Sequence, residues 1–177
     1  MVREMLMLRK GGRGRHRMAK AAFSALVALA LAFPASAQAC QMLPIVYFRH
    51  GGSAIDEHGR AVLDDLAAQL VSRPDDVREI LITGHSDRTG PASARLGVAL
   101  ERAAAVRDYL LARGLVAGWF RIEGAADSRP MVETADGVRE PQNRRAEIAL
   151  SYTPEAVAEM VRRRDADAAA GRPTPMC

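Results

Sequence analysis

The chain divides into short β-branched runs and longer stretches in which apolar residues recur at helical spacing. Four short runs predict strands, at residues 44–48, 77–83, 120–125 and 146–152. Two longer stretches, 59–72 and 92–113, predict amphipathic helices between the first three strands. The predicted apolar stripe of the second helix consists of Leu96, Leu100, Ala103, Val106 and Leu110.

The order of these elements predicts the fold class. Two strand–helix–strand units followed by a further strand give βαβαββ, an α/β arrangement (an α+β sandwich) with helices on one face of a mixed sheet. Thr153 followed by Pro154 has the composition of a helix start, so a charged C-terminal helix is expected to follow the last strand. The polar segment 126–143 is predicted to be a loop.

The N-terminal segment has the pattern of a signal peptide. A basic stretch over residues 1–20 precedes thirteen apolar residues, 21–33, and then small residues up to Cys40. A thirteen-residue helix rises about 20 Å, short of the roughly 30 Å needed to cross a membrane, so a retained anchor is the weaker alternative. We therefore predict a signal peptide at 1–39, starting at Met1 or Met18, a domain at 40–152 and a helical tail at 153–177.

Charge is distributed unevenly along the chain. The formal net charge is +4, but residues 1–39 hold seven of the 25 basic side chains and only one acid. The remaining residues carry 18 arginines and 20 acids, so the predicted mature protein is mildly acidic. This balance argues against nucleic-acid binding. The composition, 49% apolar and 26% charged, fits one globular domain in the mature chain.

Two cysteines, Cys40 and Cys177, lie at the two ends of the predicted mature chain. In an oxidising compartment they can form a disulfide that closes a long loop. Alternatively, Cys40 is the lipidated first residue of a lipoprotein, or both thiols are free. The sequence leaves these alternatives open.

Three motifs follow one another in the central part of the chain. Residues 83–90 read TGHSDRTG, Arg102 lies within the second predicted helix, and residues 141–148 read PQNRRAEI. This order of G-H-[TS]-D, R-A-x-x-V and N-R-R-x-E-I resembles the OmpA-like peptidoglycan-binding domain. The resemblance covers about residues 44–152 and implies a periplasmic or outer-membrane location in a Gram-negative bacterium.

The resemblance implies a binding module without catalytic activity, metal or cofactor. Its expected ligand is diaminopimelate of the peptidoglycan stem peptide, and outer-membrane proteins are possible further partners. Asp87 would accept the ligand ammonium and Arg102 would clasp its carboxylate, which suits a zwitterion because it needs one anion and one planar cation. The other expected ligand-binding residues are Ser86, Thr89, Gly90, Arg95, Asn143 and Arg144.

The chain departs from this family pattern on the second helix, where Arg95 and Ala99 replace the usual Asn and Ser. One alternative is therefore a domain that has lost its ligand and serves as a protein-interaction module. A weaker alternative is a histidine phosphatase that uses Arg49-His50-Gly51 with His85. Asp87 also has a purely structural interpretation, as a cap of the second helix. His85-Ser86-Asp87 is no catalytic triad, because consecutive side chains diverge.

Overall fold

In the described part of the chain, four strands form one mixed sheet in the order β1-β4-β2-β3. The structure, a computed structural model, describes residues 44–172. The strands are β1 (Ile45–Tyr47), β2 (Val77–His85), β3 (Phe120–Ala126) and β4 (Arg145–Tyr152). β4 pairs antiparallel with both β1 and β2, whereas β2 and β3 are parallel. The predicted strands are all present, and so is the mixed sheet.

Between residues 44 and 172, three α-helices accompany the sheet: α1 (Glu57–Val71), α2 (Ala92–Leu111) and α3 (Pro154–Ala169). Single 3-10 turns cover Pro74–Asp76, Ala117–Trp119 and Pro141–Asn143. The hydroxyl of Thr153 accepts a hydrogen bond of 3.3 Å from the amide of Ala156 and so caps the C-terminal helix as predicted. The α+β fold class expected from the sequence is therefore confirmed.

Alternation along the strands places the core on one face of the sheet. Val46, Ile80, Ile82, Ala146 and Ile148 are fully buried there. The two amphipathic helices pack on the same face and complete the core with Leu63, Leu66, Ala67 and Leu70 of α1 and Ala103, Val106 and Leu110 of α2. The helix α2 connects the parallel strands β2 and β3, which is the crossover that parallel neighbours require.

The predicted apolar stripe of α2 is partly wrong. Leu96 and Leu100 are 45% and 40% exposed. The buried side of the helix instead includes Ala99 and Arg102. The two leucines lie over Gly124 of β3, because a Cβ at that glycine would meet Leu96 Cδ1 at 2.8 Å and Leu100 Cγ at 2.9 Å.

A close approach of backbone to backbone sets the position of α2 over β2. A Cβ built on Gly84 would lie 1.8 Å from the carbonyl oxygen of Ala99, so only glycine fits at this point of β2. The contact holds the turn of α2 that carries Arg102 against the end of the strand that leads to Asp87.

Several predictions concern residues that the structure does not describe. The signal peptide at 1–39, both candidate start residues, and Cys40 and Cys177 all lie outside residues 44–172. The domain boundaries and the state of the cysteines therefore stay predictions. Within residues 44–172, the structure has no helix that is both long and apolar enough to cross a membrane.

Candidate functional site

The loop between β2 and α2 carries Asp87 to one end of the sheet. β2 continues two residues beyond its predicted end, and its pairing with β3 shifts between Gly84 and His85. The amide of Ser86 then donates to the carbonyl of Ala126, which adopts a φ of 47°. Such irregularities redirect a strand end and its side chains. Here they precede a tight loop that reaches α2 through Gly90, at a φ of 77°.

The Asp87 carboxylate is nearly buried and has three polar neighbours. Thr89 Oγ1 donates to its Oδ1 at 2.5 Å, and Arg144 Nη1 donates to its Oδ2 at 3.2 Å. His50 Nδ1 lies 3.6 Å from the same Oδ2. Burial by itself raises the pKa of Asp87, but the hydrogen bonds from Thr89 and Arg144, with the positive charge of Arg144, hold that pKa below its usual value. Asp87 is therefore an anion at neutral pH.

Asp87 does not cap α2. The residue at the cap position is Pro91, which makes no side-chain capping hydrogen bond. The carboxylate instead bonds within its loop and to the segment before β4. The alternative of a helix-capping aspartate is thus wrong for this chain.

Arg102 is 1% exposed and donates hydrogen bonds to three main-chain carbonyls. Its Nη1 donates to His85 at 2.7 Å, its Nε to Gly52 at 3.0 Å and its Nη2 to Arg49 at 3.2 Å. Its guanidinium carbon also lies 5.4 Å from the ring centre of Phe48. Burial lowers the pKa of Arg102 to about 10, so the side chain keeps its positive charge at pH 7. It joins α2 to the end of β2 and to the β1–α1 loop.

A cavity of about 310 Å³, here called the Asp87 cavity, lies between the β2–α2 loop, α2 and the β1–α1 loop. It brings together six of the eight predicted binding residues: Ser86, Asp87, Thr89, Gly90, Arg95 and Arg102. The remaining lining residues are His50, Gly51, Ala94 and Val98. The cavity thus combines one carboxylate with two guanidinium groups, the charges that a zwitterionic ligand needs.

Arg95, which replaces the Asn of the family pattern, is held in place by an acid that sequence analysis missed. Its Nε lies 3.0 Å from Asp127 Oδ1, and its Nη1 donates to the carbonyl of Gly90 at 3.2 Å. Arg88 Nε lies 3.6 Å from the other oxygen of Asp127. Asp127 follows β3, Asp87 follows the parallel strand β2, and His50 follows β1. The sheet order, had it been known, would have placed all three at one end.

The two remaining predicted residues lie outside the Asp87 cavity. Asn143 is buried, and its side chain accepts from the amides of Met131 and Val132 and donates to the carbonyl of Val132. It therefore braces the long loop after β3. Arg144 reaches Asp87 and also donates from Nε to the carbonyl of Phe48 at 3.1 Å. Arg145 points elsewhere, toward Glu147 and the carbonyl of Arg129.

The two histidines of the phosphatase alternative do not share the cavity. His50 lines it, whereas His85 is 1% exposed and has its Nε2 3.5 Å from Glu147 Oε2. Burial, followed by the charge of Arg145, lowers the pKa of His85 to about 4, although Glu147 opposes this change in part. His85 is thus buried and is not part of the cavity lining that includes His50. Within residues 44–172, no three His, Cys, Asp or Glu side chains are grouped so as to hold a metal ion.

Comparison with known proteins gives consistent matches. The model of the OmpA family matches residues 47–144. Outer membrane protein A of Escherichia fergusonii is 29% identical over 96 residues, which are 54% of this chain and 40% of that protein. The peptidoglycan-binding protein ArfA of Mycobacterium bovis is 30% identical over 108 residues, 61% of this chain and 32% of that protein. The chain thus spans less than half the length of these relatives.

Among solved structures, the peptidoglycan-associated lipoprotein of Burkholderia pseudomallei superposes with a TM-score of 0.56. The two sequences are 28% identical, and the aligned region covers 61% of this chain and 90% of the lipoprotein chain. These relatives confirm the envelope location expected from the sequence, in the periplasm or at the outer membrane.

Proposed function

The chain belongs to the OmpA family, and from this premise and the geometry of the Asp87 cavity we propose that it binds peptidoglycan non-covalently in the periplasm. Support comes from two of its relatives, a peptidoglycan-binding protein and a peptidoglycan-associated lipoprotein. A signal peptide at 1–39 would export the chain to this compartment. The role is one of binding and anchoring, not of catalysis.

One observation carries the proposal: a nearly buried, ionised Asp87 stands at the wall of a cavity that also contains two arginines. A carboxylate has about four lone-pair positions, and Thr89 and Arg144 use two of them. Lone pairs therefore remain for a ligand ammonium. An ammonium held there gains more than at an exposed surface, since water screens it less.

The finer proposal is that the ligand group is the free zwitterionic end of diaminopimelate. Its ammonium binds Asp87, and its carboxylate lies toward Arg102 and Arg95. Within residues 44–172, carbonyls use three of the five N–H groups of Arg102, which leaves two for the ligand. Among residues 44–172, the amides of residues 88–90 find no acceptor, so they are available as further donors.

Co-sedimentation with diaminopimelate-containing sacculi tests this function. The protein, purified after expression of the full sequence, is compared with Asp87→Asn and with Asp64→Asn as a matched control. Asp64 is half exposed and pairs with Arg113 outside the cavity. We expect the wild type and Asp64→Asn to pellet with the sacculi and Asp87→Asn to stay in solution while folded.

The alternative of a protein-interaction module that has lost its ligand has one observation in its favour. Asp87 is already hydrogen-bonded to Arg144 and Thr89, and Arg102 is already engaged with carbonyls, so both contribute to the fold without a ligand. In that case the wild type itself, folded by circular dichroism, would remain in the supernatant. The same experiment therefore separates the two functions.

A further inference from the structure

A second cavity of about 340 Å³ adjoins the Asp87 cavity. We call it the Arg49 cavity; its lining includes Tyr47, Arg49, Asp56, Gln142 and Arg144. Two connections join the cavities. Arg49 lines one and its neighbour His50 the other, and Arg144 lines the Arg49 cavity while donating to Asp87. The two cavities therefore meet at residues 49–50 and at Arg144.

The Arg49 cavity offers guanidinium donors that the protein itself does not use. Arg144 employs its Nε for Phe48 and its Nη1 for Asp87, and its Nη2 has no partner within residues 44–172. The side chain of Arg49 is exposed and makes no hydrogen bond or ion pair in the same part of the chain. Its main-chain carbonyl, in contrast, is fixed by Arg102 at 3.2 Å. The backbone of Arg49 is thus anchored while its charged group stays available.

The carboxylate of Asp56, the acid that lines this cavity, already accepts one hydrogen bond from the protein. Asp56 Oδ1 accepts the amide of Gly59 at 2.8 Å and caps α1. Among residues 44–172 no ion pair joins Asp56 to Arg49 or Arg144, and Arg144 pairs instead with Asp87 at 3.2 Å. Arg49 is thus left without an acidic partner within residues 44–172, and its guanidinium together with the free Nη2 of Arg144 suits a planar carboxylate.

We propose that the Arg49 cavity binds a second carboxylate of the same stem peptide, one residue away from the diaminopimelate in the Asp87 cavity. This inference rests on the proposed function. In a stem peptide the residue that precedes diaminopimelate is a γ-linked D-glutamate, whose α-carboxylate is either free or amidated. About eleven bonds separate that α-carboxylate from the free ammonium of diaminopimelate, and a chain of this length spans at most about 13 Å. It can therefore join Asp87 to the free Nη2 of Arg144, whose Nη1 already contacts Asp87. Arg49 thus makes the domain selective for the free acid over the amide.

Two tripeptides test this selectivity, L-Ala-γ-D-Glu-meso-diaminopimelate with the glutamate α-carboxylate free and the same peptide with it amidated. Each is titrated calorimetrically into the protein purified after expression of the full sequence, beside free meso-diaminopimelate. We expect the wild type to bind the free acid about tenfold more tightly than the amide, as one charge-assisted contact implies. The preference should shrink as salt is raised, because the site is partly open to solvent.

Arg49→Gln is the decisive variant, and Arg78→Gln is its control, because Arg78 is also an exposed arginine but lies at the start of β2. Arg49→Gln should lose most of the preference and keep the affinity for free meso-diaminopimelate, whereas Arg78→Gln should keep both. Equal binding of the two tripeptides by the wild type, or a preference that persists in Arg49→Gln, overturns the inference alone. Failure of the wild type to bind any of the three ligands overturns the proposed function and the inference with it.

Discussion

Arg102 on α2 donates a hydrogen bond of 2.7 Å to the main-chain carbonyl of His85, two residues before Asp87. The same guanidinium holds the carbonyls of Arg49 and Gly52 in the β1–α1 loop. One buried cation thus joins the three segments that form the Asp87 cavity. Arg102 therefore has a structural role in the site in addition to its proposed contact with the ligand.

Replacing Arg102 should destabilise the fold. Arg102→Ala removes the donor to three carbonyls and leaves a cavity where the side chain was, which should cost about 3 kcal/mol or more of unfolding free energy. Urea denaturation at pH 7 measures the change. Arg78→Ala, at an exposed arginine, should stay within about 0.5 kcal/mol of the wild type. A loss below about 1 kcal/mol in Arg102→Ala would contradict the structural role.

The two glycines of the sheet that lie under α2 should respond differently to alanine. At Gly84 the added Cβ meets backbone, the carbonyl oxygen of Ala99 at 1.8 Å, so the whole helix must move. At Gly124 it meets the half-exposed side chains of Leu96 and Leu100, which can rotate away. We expect Gly84→Ala to lose roughly 3 kcal/mol or more and Gly124→Ala less than half as much. Thermal or urea unfolding of both variants tests the order, and equal losses would refute the assigned packing of α2.

Stability should decrease as the pH falls from about 6.5 to about 4. Burial lowers the pKa of His85 to about 4, whereas an unfolded histidine titrates near 6.5. In this window the unfolded chain binds a proton that the folded chain does not, so acidification favours unfolding. The loss between pH 7.5 and 4.5 should be about 2 to 3 kcal/mol, read from urea denaturation at several pH values.

The variants His85→Gln and His58→Gln distinguish the source of this pH dependence. His85→Gln removes the buried titrating group and should flatten the profile between pH 7.5 and 4.5. His58 is exposed, so His58→Gln should leave the slope unchanged. Hydrogen bonds from Thr89 and Arg144 outweigh the effect of burial and lower the pKa of Asp87, so Asp87 does not account for a loss of stability that begins near pH 6.5. An unchanged slope in His85→Gln would show that another group is responsible.

Much of the fold follows from local patterns in the sequence. Apolar alternation and helical spacing placed the four strands and the first two helices within about two residues, because each of these elements buries one continuous face. The burial of α2 was harder to predict. A purely apolar stripe selects Leu96 and Leu100, yet the helix turns Arg102 inward, where carbonyls of a distant loop satisfy its charge. Such a long-range compensation leaves no trace in local hydropathy.

The sequence predicted the two central residues of the candidate site, Asp87 and Arg102, but not the contacts of the charged residues around them. The motif around Asp87 and the position of Arg102 were sufficient to bring these two residues to one cavity. The pairing of Arg95 with Asp127 and the contact of Arg144 with Asp87 depend on the strand order β1-β4-β2-β3. Because that order brings together segments far apart in the chain, periodicity could not reveal it.

Calorimetric titration with meso-diaminopimelate tests the central claim most directly. The wild type and Asp64→Asn should bind it saturably, and Asp87→Asn should bind at least tenfold more weakly, since one charge-assisted hydrogen bond is worth about 1.5 to 3 kcal/mol. Asparagine keeps the shape of the side chain and its acceptor for Thr89 or Arg144, so circular dichroism should show an intact fold. Unchanged affinity in a folded Asp87→Asn would contradict the assignment of Asp87 as the ammonium-binding group.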